Sequence, residues 1–312
     1  MVLVEADGNY LQPFAVDDMD IYPGESYSVL FTTDQNPSNS YWVSVSVRGR
    51  KPNTTQALTI LNYHNTTSAS KPPPSPPPVA SLWNNYTHSK LFTKNVLALM
   101  GNPNPPPTTH HRRIILLNTQ NYIDGYTKWA INNIYLVLPA MPYLGSIKYN
   151  LNNAFDHKPP PPGNFPSNYD VMKQAQNPNS TYGSGVYMLS FNTTVDIILQ
   201  NANSLAVNTS EIHPWHLHGH DFWVLGYGEG KFSIENDEKS INLKNPRYRN
   251  TAVVFPFGWT ALRFVANNPG HCCLHMGMGV VFAEGVRRLG KIPNEVLTCG
   301  LTGKMFLKNK ND

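Results

Sequence analysis

Apolar and β-branched residues alternate with polar ones in short stretches along the chain, a period of two that predicts half-buried strands. The clearest early examples are residues 26–33 (SYSVLFTT) and 41–47 (YWVSVSV), and the chain begins strand-like at 2–5 (VLVE). After residue 111 the signal resumes at 114–117, 186–191, 195–199, 222–225, 251–255 and 261–265, with turn-formers between the runs and no helical period. Regular short strands without intervening helices predict one Greek-key sandwich or barrel from about 112 to 300. The first 65 residues are too few for a sandwich of about seven strands and ~100 residues, so they read as part of a second one. The expected class is therefore all-β, with one complete domain and a partial one.

Between these regions the pattern changes. Residues 66–111 contain KPPPSPPP at 71–78 and NPNPPP at 102–107, which favour extended polyproline conformations and read as a linker, with one short strand expected at 97–100. A second proline run at 159–162 reads as a surface loop. The resulting division is a partial domain at 1–65, a linker at 66–111 and a complete domain at 112–312.

Composition supports that class and excludes others. Charged residues make up 14% of the chain and aromatics 11%, alongside 27 Pro and 21 Gly, a balance suited to strands and turns. The net charge of +4 is spread along the chain rather than gathered into a basic stripe, which argues against nucleic acid as a partner. No run approaches the ~20 apolar residues of a membrane span, and residues 1–7 lack the basic-then-apolar pattern of a leader peptide. Asn-x-Ser/Thr triplets at Asn53, Asn65, Asn85, Asn179, Asn192 and Asn208 suit a secreted glycoprotein. The three cysteines, Cys272, Cys273 and Cys299, cannot all pair within the chain.

The chemistry lies in two clusters. HPWHLHGH at 213–220 holds four imidazoles, and an extended 216–220 would send His216, His218 and His220 to one face, an arrangement that favours a metal. Imidazole suits copper, zinc and iron alike. The second cluster, HCCLHMGM at 271–278, adds thiolate and thioether, and two His, one Cys and a distant Met make a blue copper ligand set. His64, His88 and His157 stand singly in polar segments and read as solvated.

Residues 213–228 (HPWHLHGHDFWVLGYG) and 276–285 (MGMGVVFAEG) resemble the third cupredoxin domain of the ascorbate oxidases, which are multicopper oxidases. Residues 5–14, 33–37 and 117–121 resemble the second domain of the same family and the start of its third. The resemblance implies a cupredoxin-like, plastocyanin-like fold and an enzyme that oxidises ascorbate at one copper and reduces O2 to water at a group of three. It further implies a secreted, apoplastic protein and a homodimer. By position, His213 resembles a type 1 copper ligand, His216 the type 2 ligand and His218 a type 3 ligand, whereas His220 matches a non-ligand. Trp129 resembles an aromatic at the ascorbate site.

The family pattern in the second cluster is His-Cys-His, three residues, His, and a Met five positions on. Here the stretch before Met278 is about eight residues shorter. One alignment keeps His271 and Cys272 as the motif's start, with Cys273 in place of a histidine. The other puts Cys273 in the type 1 histidine position. His-x-His pairs like those of the family's first domain have no counterpart in residues 1–200, where His110 and His111 are adjacent and point oppositely. The resemblance makes Cys299 a partner for a cysteine in that first domain. Three expectations follow: a multicopper oxidase incomplete by itself, a mononuclear copper protein built from His213, Cys272, His275 and Met278, or a metal-free remnant.

Overall fold

The computed structural model describes residues 1–49, 56–63, 72–101, 105–138, 142–149, 169–173, 181–183, 186–273, 278–293, 303–304 and 307–308; for 181–183 and 271–273 it describes the backbone. Its N-terminal part holds strands β1 (Val2–Ala6), β2 (Asn9–Ala15), β3 (Tyr27–Leu30), β4 (Ser40–Val45) and β5 (Ala57–Asn62), then helix α1 (Tyr86–Asn95). The remainder comprises β6 (Arg112–Ile123), β7 (Tyr126–Ile131), β8 (Ile134–Leu136), α2 (Tyr143–Lys148), β9 (Thr181–Gly183), β10 (Val186–Leu189), β11 (Thr194–Asn201), β12 (His213–His216) and β13 (Phe222–Glu229). It ends with β14 (Tyr248–Arg249), β15 (Thr251–Val254), β16 (Gly258–Val265), β17 (Gly270–Cys273) and β18 (Val281–Glu284).

One sheet runs β14-β13-β16-β11-β6-β7-β8-β9, and the facing layer is made by β10-β18-β17 and the β12-β15 pair. Strand β11 is buried at every position because both faces of the large sheet are covered. Its period of two explains how. Val195, Ile197 and Leu199 enter the core between the layers, whereas Ile198 joins Leu225, Phe232, Trp259 and Ala261 on the outer face. The facing layer supplies Tyr187, Leu189, Trp215, Leu217, Val254 and Phe282 to the same core. Phe282 stacks at 5.9 Å on both Tyr187 and Phe264, contacts worth about 0.5–1.5 kcal/mol each beyond their buried area.

At the centre of this sheet two buried charges are placed opposite each other. Asp196 of β11 pairs in register with Arg263 of β16, at 2.6 Å from Nε and 2.9 Å from Nη2. His110 approaches Asp196 at 3.1 Å while His111 accepts from the Thr194 amide at 3.0 Å, so the adjacent histidines do point to different partners.

The stretch 66–111 contains more order than a proline-rich linker implies. Asn85 caps α1 by accepting from the His88 amide, and Phe92 and Val96 pack with Leu3, Ala6 and Leu11 in a separate N-terminal core. The strand expected at 97–100 is reduced to a bridge between Ala98 and Leu11. His88 is not simply solvated. Its ring lies 3.2 Å from Asp20 and 3.0 Å from Asp18, in a group that includes Arg48 and Ser89, because the helix faces the acidic turn after β2. His64 and His157 lie outside the described residues.

Candidate metal centre

Strand β12 pairs antiparallel with β15, His213 opposite Val254 and His216 opposite Thr251. Alternation along it sends His213 and Trp215 inward, with Leu217 continuing that face, while His216 and His218 take the other. His213 is buried, and Trp129 of β7 meets its ring edge to face at 4.6 Å. The rings of His216 and His218 lie 4.8 Å apart, also edge to face.

His216 is held by its backbone surroundings. Its Nδ1 is 2.9 Å from the Asn250 carbonyl and 3.2 Å from Thr251 Oγ1. A carbonyl only accepts, so Nδ1 carries the proton and Nε2 keeps the free lone pair that a metal needs. This is the tautomer in which an imidazole binds copper through Nε2, and it supports His216 as a ligand.

His220 departs from the expected common face. β12 ends at His216, and Gly219 takes a φ of 78° in a turn that breaks the alternation. His220 is thereby carried into the interior, where Nε2 donates to Glu284 at 2.8–2.9 Å and the ring lies 5.1 Å from Phe264. It is not available to the surface that carries His216 and His218. Neither Glu284 nor Asn250 was legible in the sequence. A carboxylate in an apolar strand was the only available signal for the first, and a backbone carbonyl leaves none.

The second cluster is placed by its backbone. β17 pairs with β18, Cys272 opposite Phe282, and Gly270 opposite Glu284, the partner of His220. Met278 is partly buried against the core that contains Trp215 and Leu217. The 213–220 segment and residues 278–284 thus border one core, with 270–273 paired alongside. The side chains of His271 and Cys272, and all of His275, lie outside the described residues. Among the described residues, no three His, Cys, Asp or Glu side chains converge as a metal-binding group.

A buried charge cluster lies behind His216. Arg249 meets Asp7 at 2.8 Å, Glu25 at 3.2 Å and the Tyr27 hydroxyl at 2.9 Å. Burial opposes its charge, but Tyr27, Glu25 and Asp7 together hold the guanidinium above its ordinary pKa. Burial likewise raises Glu25, against the pull of Arg249.

Two sequence profiles described as multicopper oxidase match the chain, one over residues 1–66 and one over 154–286, together more than half of it. The chain belongs to the multicopper oxidase family. It is 70% identical to an L-ascorbate oxidase of Nicotiana tabacum and 59% identical to one of Brassica rapa subsp. pekinensis, in each case over its whole length. It spans 54% and 55% of those relatives. The tobacco alignment runs over 320 positions, eight more than the 312 residues here, the same number as the shortening read before Met278. A laccase from Botrytis aclada shares the fold, with a TM-score of 0.65 at 18% identity, covering 99% of this chain and 51% of that one. The all-β class expected from the strand pattern, and the cupredoxin-like fold that the family resemblance implied, are therefore the observed ones. The family's cofactor is copper. No described helix is long and apolar enough to cross a membrane.

Proposed function

We propose that this chain is the copper-binding, ascorbate-oxidising part of an ascorbate oxidase-type enzyme, with residues 112–312 forming the copper domain. The observation that carries the reading is the opposed placement of imidazoles on β12: His213 faces inward against Trp129, and His216 and His218 face outward with a fixed tautomer at His216. One strand thus presents ligands to two separate positions. When bound, copper supplies one-electron acceptance at the first position and O2 reduction at the second. His213, Cys272, His275 and Met278 would hold the first ion, and His216 and His218, with His271 on the opposite face of β17 from Cys272, would contribute to the second.

The protein's own part is positioning. Trp129 packs on the His213 ring and is partly exposed, so a small planar reductant stacked on it would lie within one ring of a ligand. Ascorbate and O2 are the proposed substrates. Asn192 and Asn208, both exposed and both at left-handed turn positions, suit glycosylation in a secreted, apoplastic protein. A homodimer is proposed on family resemblance.

Copper per chain, measured together with visible absorption and ascorbate-dependent O2 uptake, tests this reading. Copper bound with a thiolate charge-transfer band is the expected result. A single copper at a His-Cys-Met site would favour the mononuclear alternative, and no copper would make the chain a metal-free remnant. In a copper-loaded chain, Trp129→Leu is expected to raise KM for ascorbate and leave the absorption band in place; an unchanged KM would remove Trp129 from the reductant site.

A further inference from the structure

Strands β2-β1-β3 form an N-terminal sheet far in sequence from the metal ligands, yet a side chain from its β1–β2 turn reaches the residues behind His216. Asp7 sits at a left-handed position, φ 50°, in the turn between β1 and β2, and is 8% exposed. Its Oδ1 accepts from the Ser26 amide at 2.8 Å, fixing it to the residue before β3. Its Oδ2 accepts from Arg249 Nε at 2.8 Å and from the Thr251 amide at 3.1 Å.

Those two donors flank Asn250, whose carbonyl receives the His216 Nδ1 proton. Thr251 is held a second time, its hydroxyl donating to the Gly24 carbonyl at 3.0 Å. The approach is close enough that a Cβ on Gly24 would stand 3.3 Å from two Thr251 side-chain atoms. Residues 249–251 are therefore clamped at both ends by Asp7 and Gly24, and the middle carbonyl, which also accepts from the Leu217 amide at 3.1 Å, aims at the imidazole.

We infer that Asp7 is a positioning residue for the metal ligand His216, acting through Arg249 and Thr251. Without its carboxylate, the Thr251 amide and the Arg249 guanidinium lose a buried acceptor, and the segment must move to find another. The Asn250 carbonyl moves with it, and the tautomer and aim of His216 are no longer fixed. Groups bonded directly to a ligand, as the Asn250 carbonyl is, change metal affinity by about 10–100-fold, and Asp7, one step further out, is expected to act at the lower end of that range. This gives the N-terminal sheet a part in metal binding without contributing a ligand.

The test compares the full-length chain with Asp7→Asn, which keeps the shape and removes one acceptor, and with Asp20→Asn. The latter breaks a separate buried N-terminal carboxylate cluster, with Arg48, Ser89 and His88, and leaves His216 untouched. In the metal-free chain, nitrogen-detected imidazole spectra report the His216 Nδ1–H. Asp7→Asn is expected to shift or broaden that signal and to weaken Cu2+ binding about tenfold, whereas Asp20→Asn changes neither at a matched loss of melting temperature. An unmoved His216 signal in Asp7→Asn, or an equal effect of Asp20→Asn, would overturn the inference. Should Asp7→Asn fail to fold, Asp7→Glu keeps the charge but displaces the carboxylate from the Arg249 Nε and the Thr251 amide, and the same shift is expected. The copper readout rests on the function proposed above, and the imidazole readout does not. A chain that takes up no copper therefore sinks that function and leaves the spectrum to decide the role of Asp7.

Discussion

Replacing His220 with Leu should destabilise the chain far more than replacing His220 and Glu284 together. The two side chains are 7% and 1% exposed, and both Glu284 oxygens lie within 2.9 Å of the His220 Nε2. Removing the imidazole strands a carboxylate on a strand whose other residues are all buried, and breaking such a pair costs about 3–5 kcal/mol. Replacing both by apolar groups removes the stranded charge, and buried pairs treated in this way are often neutral to within ~1 kcal/mol or better. The double variant still loses the His220–Phe264 ring contact, about 0.5–1.5 kcal/mol. The expected order is therefore His220→Leu least stable, His220→Leu/Glu284→Leu intermediate and wild type most stable. The coupling energy should be about 2 kcal/mol or more, within the range for residues in direct contact. Urea denaturation of the metal-free chain, followed by circular dichroism, measures these three and the Glu284→Leu single variant that completes the cycle. Costs for His220→Leu and Glu284→Leu that add within ~0.5 kcal/mol would refute the reasoning, because additive costs mean the groups do not interact.

Gly228→Ala should cost about 1–3 kcal/mol through overpacking, since a Cβ there would fall 2.2–2.3 Å from the Trp259 indole; thermal unfolding checks this, and an unchanged midpoint would show that the indole yields freely. The Asp20 carboxyl should give the chain an acid-sensitive limb. Burial pushes its pKa up, but Ser89, Arg48 and His88 outweigh that and hold it below 3.8. Its folded value is thus the lower one, so its contribution is complete above the unfolded pKa of about 3.9 and is lost as pH falls through the folded value. Asp20→Asn should lower stability at neutral pH and flatten the stability–pH curve on the acid side of about pH 4. An identical slope in the variant would remove Asp20 from the acid response.

The strands were legible where one physical rule dominated. At 195–199 alternation is readable even though both faces are buried, because the two faces feed different clusters. The eight-residue imidazole run was legible as a metal motif, but its geometry was not. A glycine with a positive φ ended the alternation two residues early and sent His220 to Glu284. Helix α1 was hidden for a different reason. The prolines on either side dominate its composition, and its few buried positions, Ser89 and Phe92, leave a weak helical period. What the sequence could not carry was the support behind the ligands. Asp7, Glu25 and Asn250 act through contacts more than 30 residues distant, and one of them acts through its backbone alone.

The alternation in β12 also limits which copper sites this chain can build. His213 and His216 are three residues apart on an extended strand, so their Cα atoms are about 10 Å apart and their side chains leave opposite faces. Copper–imidazole bonds are close to 2 Å, so one ion cannot take both. A mononuclear site must therefore use His213 without His216, or His216 with His218 and without His213. The side chains favour keeping both positions. His213 is packed by Trp129 toward the core that also holds Met278, and His216 has its donor nitrogen fixed by Asn250 on the other side. Loss of one group should leave the other able to bind. His213→Ala is expected to abolish any thiolate band while leaving a copper signal from His216 and His218, and a variant that loses both together would mean that the two faces share one ion after all.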